Sequence, residues 1–311
     1  MSTQITGYLA APGFEADLAA ELGEVIAQHG RLLLAPGPAR PAAWAINVWH
    51  EPLDLAVPSI GAAARALRAI QRNWWPYSFQ LHRRTGLLAE ALPKVSAKPL
   101  TFGDPVPTAP LGSFVWLETG RLLAAAHCSS PFPNGEAAFV EDRVVPPNRA
   151  YLKLWEALTL AGRRPGPGQR CLDLGASPGG WSWVLASAGA EVIAVDKAPL
   201  APGIAALDRV SWHQGSAFAL EPAEIGPVDW LCCDVICYPE RLWRLIERWR
   251  GSGLVRNFVC TLKFQGETDH EWAARFAALP GSRLCHLWHN KHELTWISLA
   301  SAAEPEGNGS L

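Results

Sequence analysis

The sequence lacks the features that mark several large classes of protein. It has no apolar run of the roughly 18 to 20 residues that a membrane-spanning helix needs, and its first residues lack the basic segment and apolar stretch of a secretory signal. Only 18% of its residues are charged and its net charge is −2, so overall charge neither favours nor excludes a nucleic-acid partner. We therefore expect a cytoplasmic globular protein without membrane association, in which any RNA-binding surface is local.

The cysteine pattern argues against a metal or redox cluster. The seven cysteines are an odd number, and most lie in stretches that predict buried strands. Cys232, Cys233 and Cys237 form a local group, but no second pair stands at zinc-finger spacing. We expect small core residues and no metal site.

Lysine is also scarce. Only six of the 27 basic residues are lysines, at positions 94, 98, 153, 197, 263 and 291. Arginine does not lose its proton in proteins, whereas lysine can act as a base when its pKa is lowered. The positions of these few lysines therefore carry information about chemistry.

The most informative feature that is present is the segment 171–181, CLDLGASPGGW, in which an apolar run ends in an acid and opens into a glycine-rich turn. A dinucleotide-binding turn needs Gly-x-Gly-x-x-Gly, which lets the backbone approach a pyrophosphate. Here the glycines are Gly175, Gly179 and Gly180, and Pro178 removes a backbone donor and stiffens the turn. The pattern favours S-adenosylmethionine, which carries no phosphate, over a dinucleotide.

The second half of the chain alternates predicted strands with predicted helices. Such alternation is typical of an α/β fold with a parallel sheet, which binds its ligands outside the carboxyl ends of the strands. Asp173, Asp196, Asp234 and Lys263 fall at or near those ends. The predicted strands are 170–174, 191–195, 209–214, 229–233, 257–262, 283–289 and 293–299, and the predicted helices are 149–161, 179–188, 239–250 and 269–278.

The last two predicted strands are joined by only residues 290–292. So short a link requires an antiparallel hairpin, because a parallel crossover needs about a dozen or more residues. A mostly parallel seven-stranded sheet with one antiparallel strand is similar to that of the Rossmann-like class I methyltransferases.

The first part of the chain is less regular, with predicted strands at 5–10 and 43–49 and predicted helices at 14–27 and 58–72. Residues 94–112 are rich in Pro and Gly, and 114–125 predict a hairpin. We divide the chain into a small α+β module at 1–100, a linker with a hairpin at 101–145, a methyltransferase domain at 146–300 and a disordered tail at 301–311.

Four residues around the turn suggest the chemistry, and we call them the K-D-K-E tetrad. Lys153 precedes the first strand of the sheet, Asp234 follows the fourth, Lys263 follows the fifth, and Glu293 opens the last. The set suits a ribose hydroxyl, which is a poor nucleophile at neutral pH and needs a base as it attacks a sulfonium methyl group. A second cation lowers the pKa of a lysine base, while carboxylates orient the amines.

These residues resemble the FtsJ/RrmJ-type RNA ribose 2′-O-methyltransferases. The resemblance covers roughly 112–299 and is carried by 148–154 (NRAYLKL), the glycine-rich turn and the tetrad. Residues 233–235 (CDV) and 261–263 (TLK) are most similar to the RlmM branch, which methylates a cytidine of bacterial 23S rRNA. In the first module the resemblance rests mainly on 12–15 (PGFE), where that branch carries a ferredoxin-like piece and a THUMP RNA-binding module, so residues 1–100 would hold a reduced THUMP-like region.

The resemblance implies an enzyme that uses S-adenosylmethionine to methylate RNA, with 23S rRNA or a pre-ribosomal large-subunit particle as partner. It implies that Lys263 is the base, that Lys153 and Asp234 align and tune it, and that Glu293 supports them. Asp196 would hold the ribose hydroxyls of the cofactor. The expected cofactor contacts are Asp173, Gly175, Ser177, Pro178, Gly179, Gly180, Trp181, Asp196, Ser216 and Asp234.

Two positions depart from the family pattern. Ser216 stands where the family commonly has an acid after the third strand, so it offers adenine a hydroxyl but no charge. Ala150 stands where the RlmM branch tends to have a serine.

Other interpretations stay open. The chain could be a non-catalytic RNA-binding or ribosome-assembly factor, or it could methylate the ribose of another RNA. Methylation of a base amino group is disfavoured, because 234–237 (DVIC) is not the Asn/Asp-Pro-Pro-Tyr/Phe loop of such enzymes. Residues 72–84 interleave basic and aromatic side chains, which fits either an RNA-stacking surface or core packing.

Overall fold

The computed structural model describes residues 4–301, so most of the tail predicted to be disordered lies outside the described residues. The described residues form two compact units, one of residues 4–141 with 285–289 and the other of residues 142–284 with 290–301. No helix among residues 4–301 is long and apolar enough to cross a membrane.

The first unit is an α+β structure with two sheets, in the strand orders β2-β3-β1-β4-β9 and β5-β8-β7-β6. A short 3-10 turn, Pro133–Gly135, follows its last strand. Its elements are β1 (Ile5–Ala10), α1 (Glu15–Leu22), β2 (Ala27–His29), β3 (Leu32–Pro36), β4 (Ala45–His50), β5 (Leu53–Ala56), α2 (Ile60–Ile70), β6 (Trp74–Pro76), α3 (His82–Ala91), β7 (Gly112–Glu118), β8 (Arg121–Ala125) and β9 (His127–Cys128).

Helix α1 is shorter than predicted. It ends at Leu22 because Gly23 adopts a positive φ of 77° and donates its N–H to the carbonyl of Ala19. Helix α2 keeps close to its predicted range, since the Ser59 hydroxyl accepts a hydrogen bond from the Ala62 N–H and caps it.

The predicted domain boundary near residue 100 is corrected by the hairpin of β7 and β8. The hairpin forms as predicted, but β8 pairs with β5 and β7 pairs with β6, so it completes a sheet of the first unit. The unit therefore runs to residue 141 rather than ending before a separate linker.

The second unit has the predicted α/β fold, with the strand order β12-β11-β10-β13-β14-β16-β15. Helices α4 and α5 pack against each other, as do α8 and α9. Its elements are α4 (Tyr151–Ala161), β10 (Arg170–Leu174), α5 (Gly180–Ser187), β11 (Glu191–Asp196), α6 (Pro202–Ala205), β12 (Val210–Gln214), α7 (Pro222–Ile225), β13 (Val228–Cys233), α8 (Pro239–Gly251), β14 (Val255–Lys263), α9 (His270–Ala277), β15 (Ser282–Cys285) and β16 (Glu293–Ser298).

The sheet is mostly parallel, as the sequence predicts. β10 pairs in parallel with β11 and β13, β11 with β12, and β13 with β14, whereas β16 is antiparallel to β14. The carboxyl ends of β10, β11, β13 and β14 therefore share one edge, where the candidate site residues stand.

Two local predictions are corrected. The segment between β15 and β16 is longer than the expected three residues, because 285–289 belong to the first unit, where the His286 N–H donates to the Ala43 carbonyl at 2.5 Å. Helix α4 begins at Tyr151 instead of the predicted residue 149, and the Asn148 side-chain oxygen accepts from the Ala150 N–H at 3.0 Å, one residue before the helix begins.

The cysteines are core residues, as predicted. All seven are free, and all except Cys128 are buried. Burial raises the pKa of the Cys237 thiol to about 11, so it stays protonated at neutral pH. Among residues 4–301 no cluster of His, Cys, Asp and Glu side chains is arranged to hold a metal ion.

Candidate active site

The glycine-rich turn needs its glycines for contacts within the protein. A Cβ on Gly175, whose φ is 79°, would lie 2.7 Å from the Cγ2 atom of Val235 in the segment after β13. At Gly179, with a φ of 115°, a Cβ would meet the side chain of Ile204 at 2.7 Å. At Gly180 it would meet the Asn148 side-chain oxygen at 2.5 Å. The turn is thus pressed against three other segments, which fixes its path.

Asp196, the last residue of β11, organises the turn from the neighbouring strand. One carboxylate oxygen accepts the Ser177 N–H at 3.0 Å and the other accepts the Ala198 N–H at 2.9 Å. The Ser177 hydroxyl donates to the Pro199 carbonyl at 2.8 Å. Because each carboxylate oxygen has a second lone pair, Asp196 can still accept hydrogen bonds from a ligand diol.

Asp173, on β10, is fully buried. The Ser182 hydroxyl donates to one of its oxygens at 2.6 Å, while the other oxygen has no hydrogen-bond partner in the described structure. Burial, with smaller contributions from Asp234 and Asp196, raises the pKa of Asp173 to about 7. Sequence reasoning missed Ser182; a small polar residue in the first turn of the helix after the glycine-rich turn was the available signal.

Trp181 positions a helix instead of facing the edge of the sheet. Its indole N–H donates to the Ala150 carbonyl at 2.9 Å, directly before α4, and only 4% of the residue is exposed. Its ring centroid lies 6.0 Å from the Lys153 Nζ atom. Trp181 therefore holds the helix that carries Lys153, and the described structure does not present it as an open cofactor contact.

The structure brings the four side chains of the K-D-K-E tetrad together. Lys153 Nζ lies 2.9 Å from both carboxylate oxygens of Asp234 and 3.1 Å from Oε1 of Glu293. Lys263 Nζ lies 2.9 Å from Oδ1 of Asp234 and donates to the Asp234 carbonyl at 2.9 Å. Because both amines contact Asp234 Oδ1, the two nitrogens are no more than about 6 Å apart.

The tetrad is largely desolvated, which fixes the charge of two members. The side chains of Lys153, Asp234, Lys263 and Glu293 are 10%, 15%, 18% and 8% exposed. Burial alone would lower the pKa of Lys153, but the carboxylates of Asp234 and Glu293 outweigh it and raise that pKa. Burial would likewise raise the pKa of Asp234, but Lys153 and Lys263 outweigh it and lower that pKa. Lys153 is therefore a cation and Asp234 an anion at neutral pH.

Strand register explains why Glu293 joins the cluster. Lys263 at the end of β14 lies directly opposite Glu293 at the start of β16. Asn290, which the sequence did not single out, donates to the Glu293 carbonyl at 3.1 Å and to the Thr295 hydroxyl at 3.1 Å. This buried amide fixes the turn that presents Glu293.

Ser216 and Ala150, the two departures from the family pattern, both form local hydrogen bonds. The Ser216 hydroxyl, after β12, accepts the Phe218 N–H at 3.3 Å and is partly exposed. The Ala150 carbonyl accepts from Trp181 and from the backbone N–H of Lys153.

Residues 146–256 match the family model described as FtsJ-like methyltransferase. The matched range contains Lys153, the glycine-rich turn and Asp234, but it ends before Lys263 and Glu293. These two residues are joined to the matched range by their contacts with Asp234 and Lys153.

Curated relatives that share one name are similar to parts of this chain. The chain is 35% identical over 198 residues to ribosomal RNA large subunit methyltransferase M of Alkalilimnicola ehrlichii, covering 60% of this chain and 54% of the relative. It is 36% identical over 157 residues to the protein of that name from Halorhodospira halophila, covering 48% of this chain and 46% of the relative. The chain thus spans about half the length of the curated relatives it matches.

Among solved structures, magnesium protoporphyrin IX methyltransferase from Synechocystis with bound S-adenosylmethionine aligns with a TM-score of 0.34 and 16% identity, covering 48% of this chain and 78% of that chain. So weak a similarity does not indicate the substrate or the cofactor of this chain.

The residues at the sheet edge fit S-adenosylmethionine, the cofactor of this class of methyltransferase. Asp173, Asp196 and Asp234 stand at or next to the carboxyl ends of three adjacent strands. Their carboxylates favour a ligand with positive charge, such as a sulfonium with an amino group, and disfavour a pyrophosphate. The unpartnered oxygen of Asp173 is a further acceptor available to such a ligand.

Proposed function

We propose that this protein is an S-adenosylmethionine-dependent RNA ribose 2′-O-methyltransferase that acts on a cytidine of 23S rRNA through the K-D-K-E tetrad. The observation that carries the proposal is the cluster itself: two amines and two carboxylates, contributed by four different segments at the edge of the sheet, each within hydrogen-bond distance of at least one other member. A purely structural role would not require two largely desolvated lysines on one carboxylate.

The ribose hydroxyl sets the demands on the site. The bound cofactor supplies an activated methyl group, and the protein must remove the hydroxyl proton as the oxygen attacks. We assign proton removal to Lys263, which contacts Asp234 alone among the tetrad carboxylates and is the more exposed of the two lysines. Lys153, paired with two carboxylates that raise its pKa, keeps its proton and acts through its charge.

The other tetrad members position the lysines. Asp234 accepts hydrogen bonds from both amines, so it fixes their separation and direction. Glu293 balances the second charge of the cluster by pairing with Lys153. Their contribution is to hold Lys263 Nζ at the place where the hydroxyl proton must be accepted.

For cofactor binding, we propose that Asp196 holds the ribose diol and that the backbone of residues 177–180 lines the pocket. Ser216 would offer its hydroxyl to adenine. Asp173 and Asp234 would face the positively charged end of the cofactor, and Trp181 would act by holding α4 in place.

The choice of acceptor is supported by the names of the relatives, which describe a methyltransferase of large-subunit ribosomal RNA. Either protein-free 23S rRNA or a pre-ribosomal large-subunit particle would then be the partner, in the cytoplasm.

The test is a methyl-transfer assay with labelled S-adenosylmethionine. Ribosomal RNA from a host that lacks the gene is offered protein-free and as large-subunit particles, and the RNA is then digested to nucleosides. We expect label in 2′-O-methylcytidine from one 23S position. Label in a base-methylated nucleoside, or in protein, would contradict the proposal.

Ser216 motivates the competing function of a non-catalytic RNA-binding factor, because it supplies no charge where the family commonly has an acid. Calorimetric titration with S-adenosylmethionine decides between them. A saturable interaction supports the enzyme, and no detectable heat of binding at millimolar cofactor would favour the non-catalytic factor.

A further inference from the structure

The first unit contains a groove that the proposed methyl-transfer chemistry does not use. It has a volume of about 500 Å³ and lies among residues 72–75, 94–111 and 131–138. Pockets that hold small ligands have volumes of about 300 to 1,000 Å³, so the groove suits a nucleotide-sized group rather than a folded partner. We call it the Trp75 groove.

The walls of the Trp75 groove are tied in place by hydrogen bonds. The Asn73 amide donates to the Pro110 carbonyl at 3.2 Å, and the Gly112 N–H donates to the Asn73 carbonyl at 3.0 Å. At the other wall the Leu100 N–H donates to the Ala138 carbonyl at 2.8 Å. The Pro-rich segment between the walls is therefore held as part of a built site, which reduces the cost of ordering it around a ligand.

Positive charge lines this groove and has no partner. Arg72, Lys94 and Lys98 are exposed, and none of them forms an ion pair with a carboxylate among residues 4–301. Among the lining residues, all of which are described, the only carboxylate is Glu136, which pairs with Arg31 at 2.7 Å. Two of the chain's six lysines stand here, in a protein of net charge −2. Such a local concentration of unpaired cations attracts a polyanion.

An aromatic ring stands among these cations. Successive residues of a strand point to opposite sides, and in β6 Trp74 packs into the core while Trp75 lines the groove. Trp75 is only partly buried. Cations beside an accessible indole can bind both the phosphate and the base of a nucleotide, since the cations attract the phosphate and the ring stacks on the base.

We propose that the Trp75 groove binds single-stranded RNA, with Arg72, Lys94 and Lys98 contacting phosphates and Trp75 stacking on a base. The proposal deepens the proposed function and rests on it in one respect, the choice of RNA as the polyanion. Duplex RNA fits less well, because its bases are stacked on each other and are not free to stack on a side chain.

Fluorescence anisotropy with a labelled single-stranded RNA of about 12 nucleotides tests the cations, at several salt concentrations. In the double variant Lys94→Ala/Lys98→Ala, the slope of log affinity against log salt should become shallower by about 1.4, since each phosphate contact on a single strand contributes about 0.7. The matched control is Arg65→Ala/Arg83→Ala, which removes two exposed cations of the same unit outside the groove. Its slope should stay at the wild-type value.

The stacking role has its own variants. Trp75→Ala should weaken binding about 5- to 150-fold, because one base–aromatic stack is worth roughly 1 to 3 kcal/mol. Trp75→Phe keeps a ring and should restore most of the affinity. Circular dichroism checks that both variants are folded, and the lysine pair tests the groove independently if Trp75→Ala is not.

Three results would overturn the proposal: equal loss in the groove and control pairs, no binding of the single strand by the wild-type protein, or tighter binding of a duplex or of polyglutamate. The proposed function fails separately. A protein that methylates rRNA normally after groove substitution refutes the groove alone, whereas RNA binding at the groove without methyl transfer refutes the enzyme alone.

Discussion

Lysine occupies two opposite environments in this protein. In the second unit, Lys153 and Lys263 are largely buried and both lie 2.9 Å from the Asp234 carboxylate. In the Trp75 groove of the first unit, Lys94 and Lys98 are exposed and pair with no described carboxylate. The same side chain is fixed in position in one region and free in the other.

The difference follows from what each region must do. A buried amine loses its hydration, and only well-placed carboxylates compensate that cost. Such a cluster holds its amines at fixed positions, which suits the transfer of a proton at one point. Exposed amines keep their water and act through a field that salt screens. We therefore expect substitutions in the tetrad to affect stability and chemistry strongly, and substitutions in the groove to affect chiefly the salt dependence of binding.

The largest expected loss of stability comes from Lys153→Met. The change leaves Glu293 buried without its lysine, and removing one member of a buried ion pair costs about 3 to 5 kcal/mol. Urea denaturation measures it against Lys197→Met, an exposed lysine of the same unit that should cost less than about 0.5 kcal/mol. Equal stability of the two variants would remove the distinction between the environments.

A somewhat smaller effect is expected at Asp173, and it depends on pH. Its carboxyl binds a proton up to about pH 7 in the folded protein but only up to about 3.8 when exposed. The stability from the protonated form is complete below the unfolded pKa and is lost as pH rises through the folded pKa. Asp173→Asn does not titrate, so its stability relative to wild type should rise by about 3 kcal/mol between roughly pH 5 and pH 8.

Denaturation midpoints of both proteins at several pH values check this prediction. A constant difference across that range would mean that Asp173 is ionised in the fold. Adding S-adenosylmethionine should reduce the difference, if its positively charged end lies beside Asp173.

The sequence predicts some features of the site and not others. Topology predicted two members of the tetrad: carboxyl ends of parallel strands share an edge, so Asp234 and Lys263 could be placed from a strand count. Lys153, on α4, and Glu293, at the start of β16, rested on the family resemblance. The bond from Ser182 to Asp173 and the contact of Trp181 with Ala150 depend on how helices α4 and α5 rotate about their axes, which a pattern does not specify.

The extent of the first unit could not be predicted from the sequence, because it depends on pairing between distant strands. The β7–β8 hairpin is a local feature and was predicted, but its pairing with β5 joins residues far apart in sequence, such as Asp54 and Leu123. Arg72, Lys94 and Lys98 likewise meet only because the Pro-rich segment folds back, so the basic and aromatic pattern of 72–84 indicated part of the groove.

A moderate effect is expected when the backbone of the turn is altered. Gly175→Ala puts a Cβ at a φ of 79° and 2.7 Å from Val235, which should cost about 2 kcal/mol and weaken cofactor binding. Gly86→Ala in α3 of the first unit is the matched control, since a Cβ there has no neighbour within 4 Å, and it should be neutral or slightly stabilising. Thermal denaturation measures the stability of each variant, and calorimetry measures its affinity for the cofactor. A Gly175→Ala variant that is as stable as wild type and binds the cofactor equally well would show that the turn is not constrained.

The smallest loss of stability is expected in the groove. The variant Lys94→Ala/Lys98→Ala should unfold within about 0.5 kcal/mol of wild type, because its lysines are exposed and unpaired. A loss comparable to that of Lys153→Met in the same urea series would mean that these lysines hold the Pro-rich segment in place.

The central claim, that Lys263 removes the proton from the acceptor hydroxyl, is tested most directly by comparing Lys263→Arg with Lys263→Ala in single-turnover methyl transfer to rRNA. Arginine keeps the positive charge beside Asp234 but does not accept a proton, so both variants should transfer the methyl group at least about 100-fold more slowly. Both should bind S-adenosylmethionine with affinity close to that of wild type. A Lys263→Arg variant that transfers the methyl group at the wild-type rate would contradict the account.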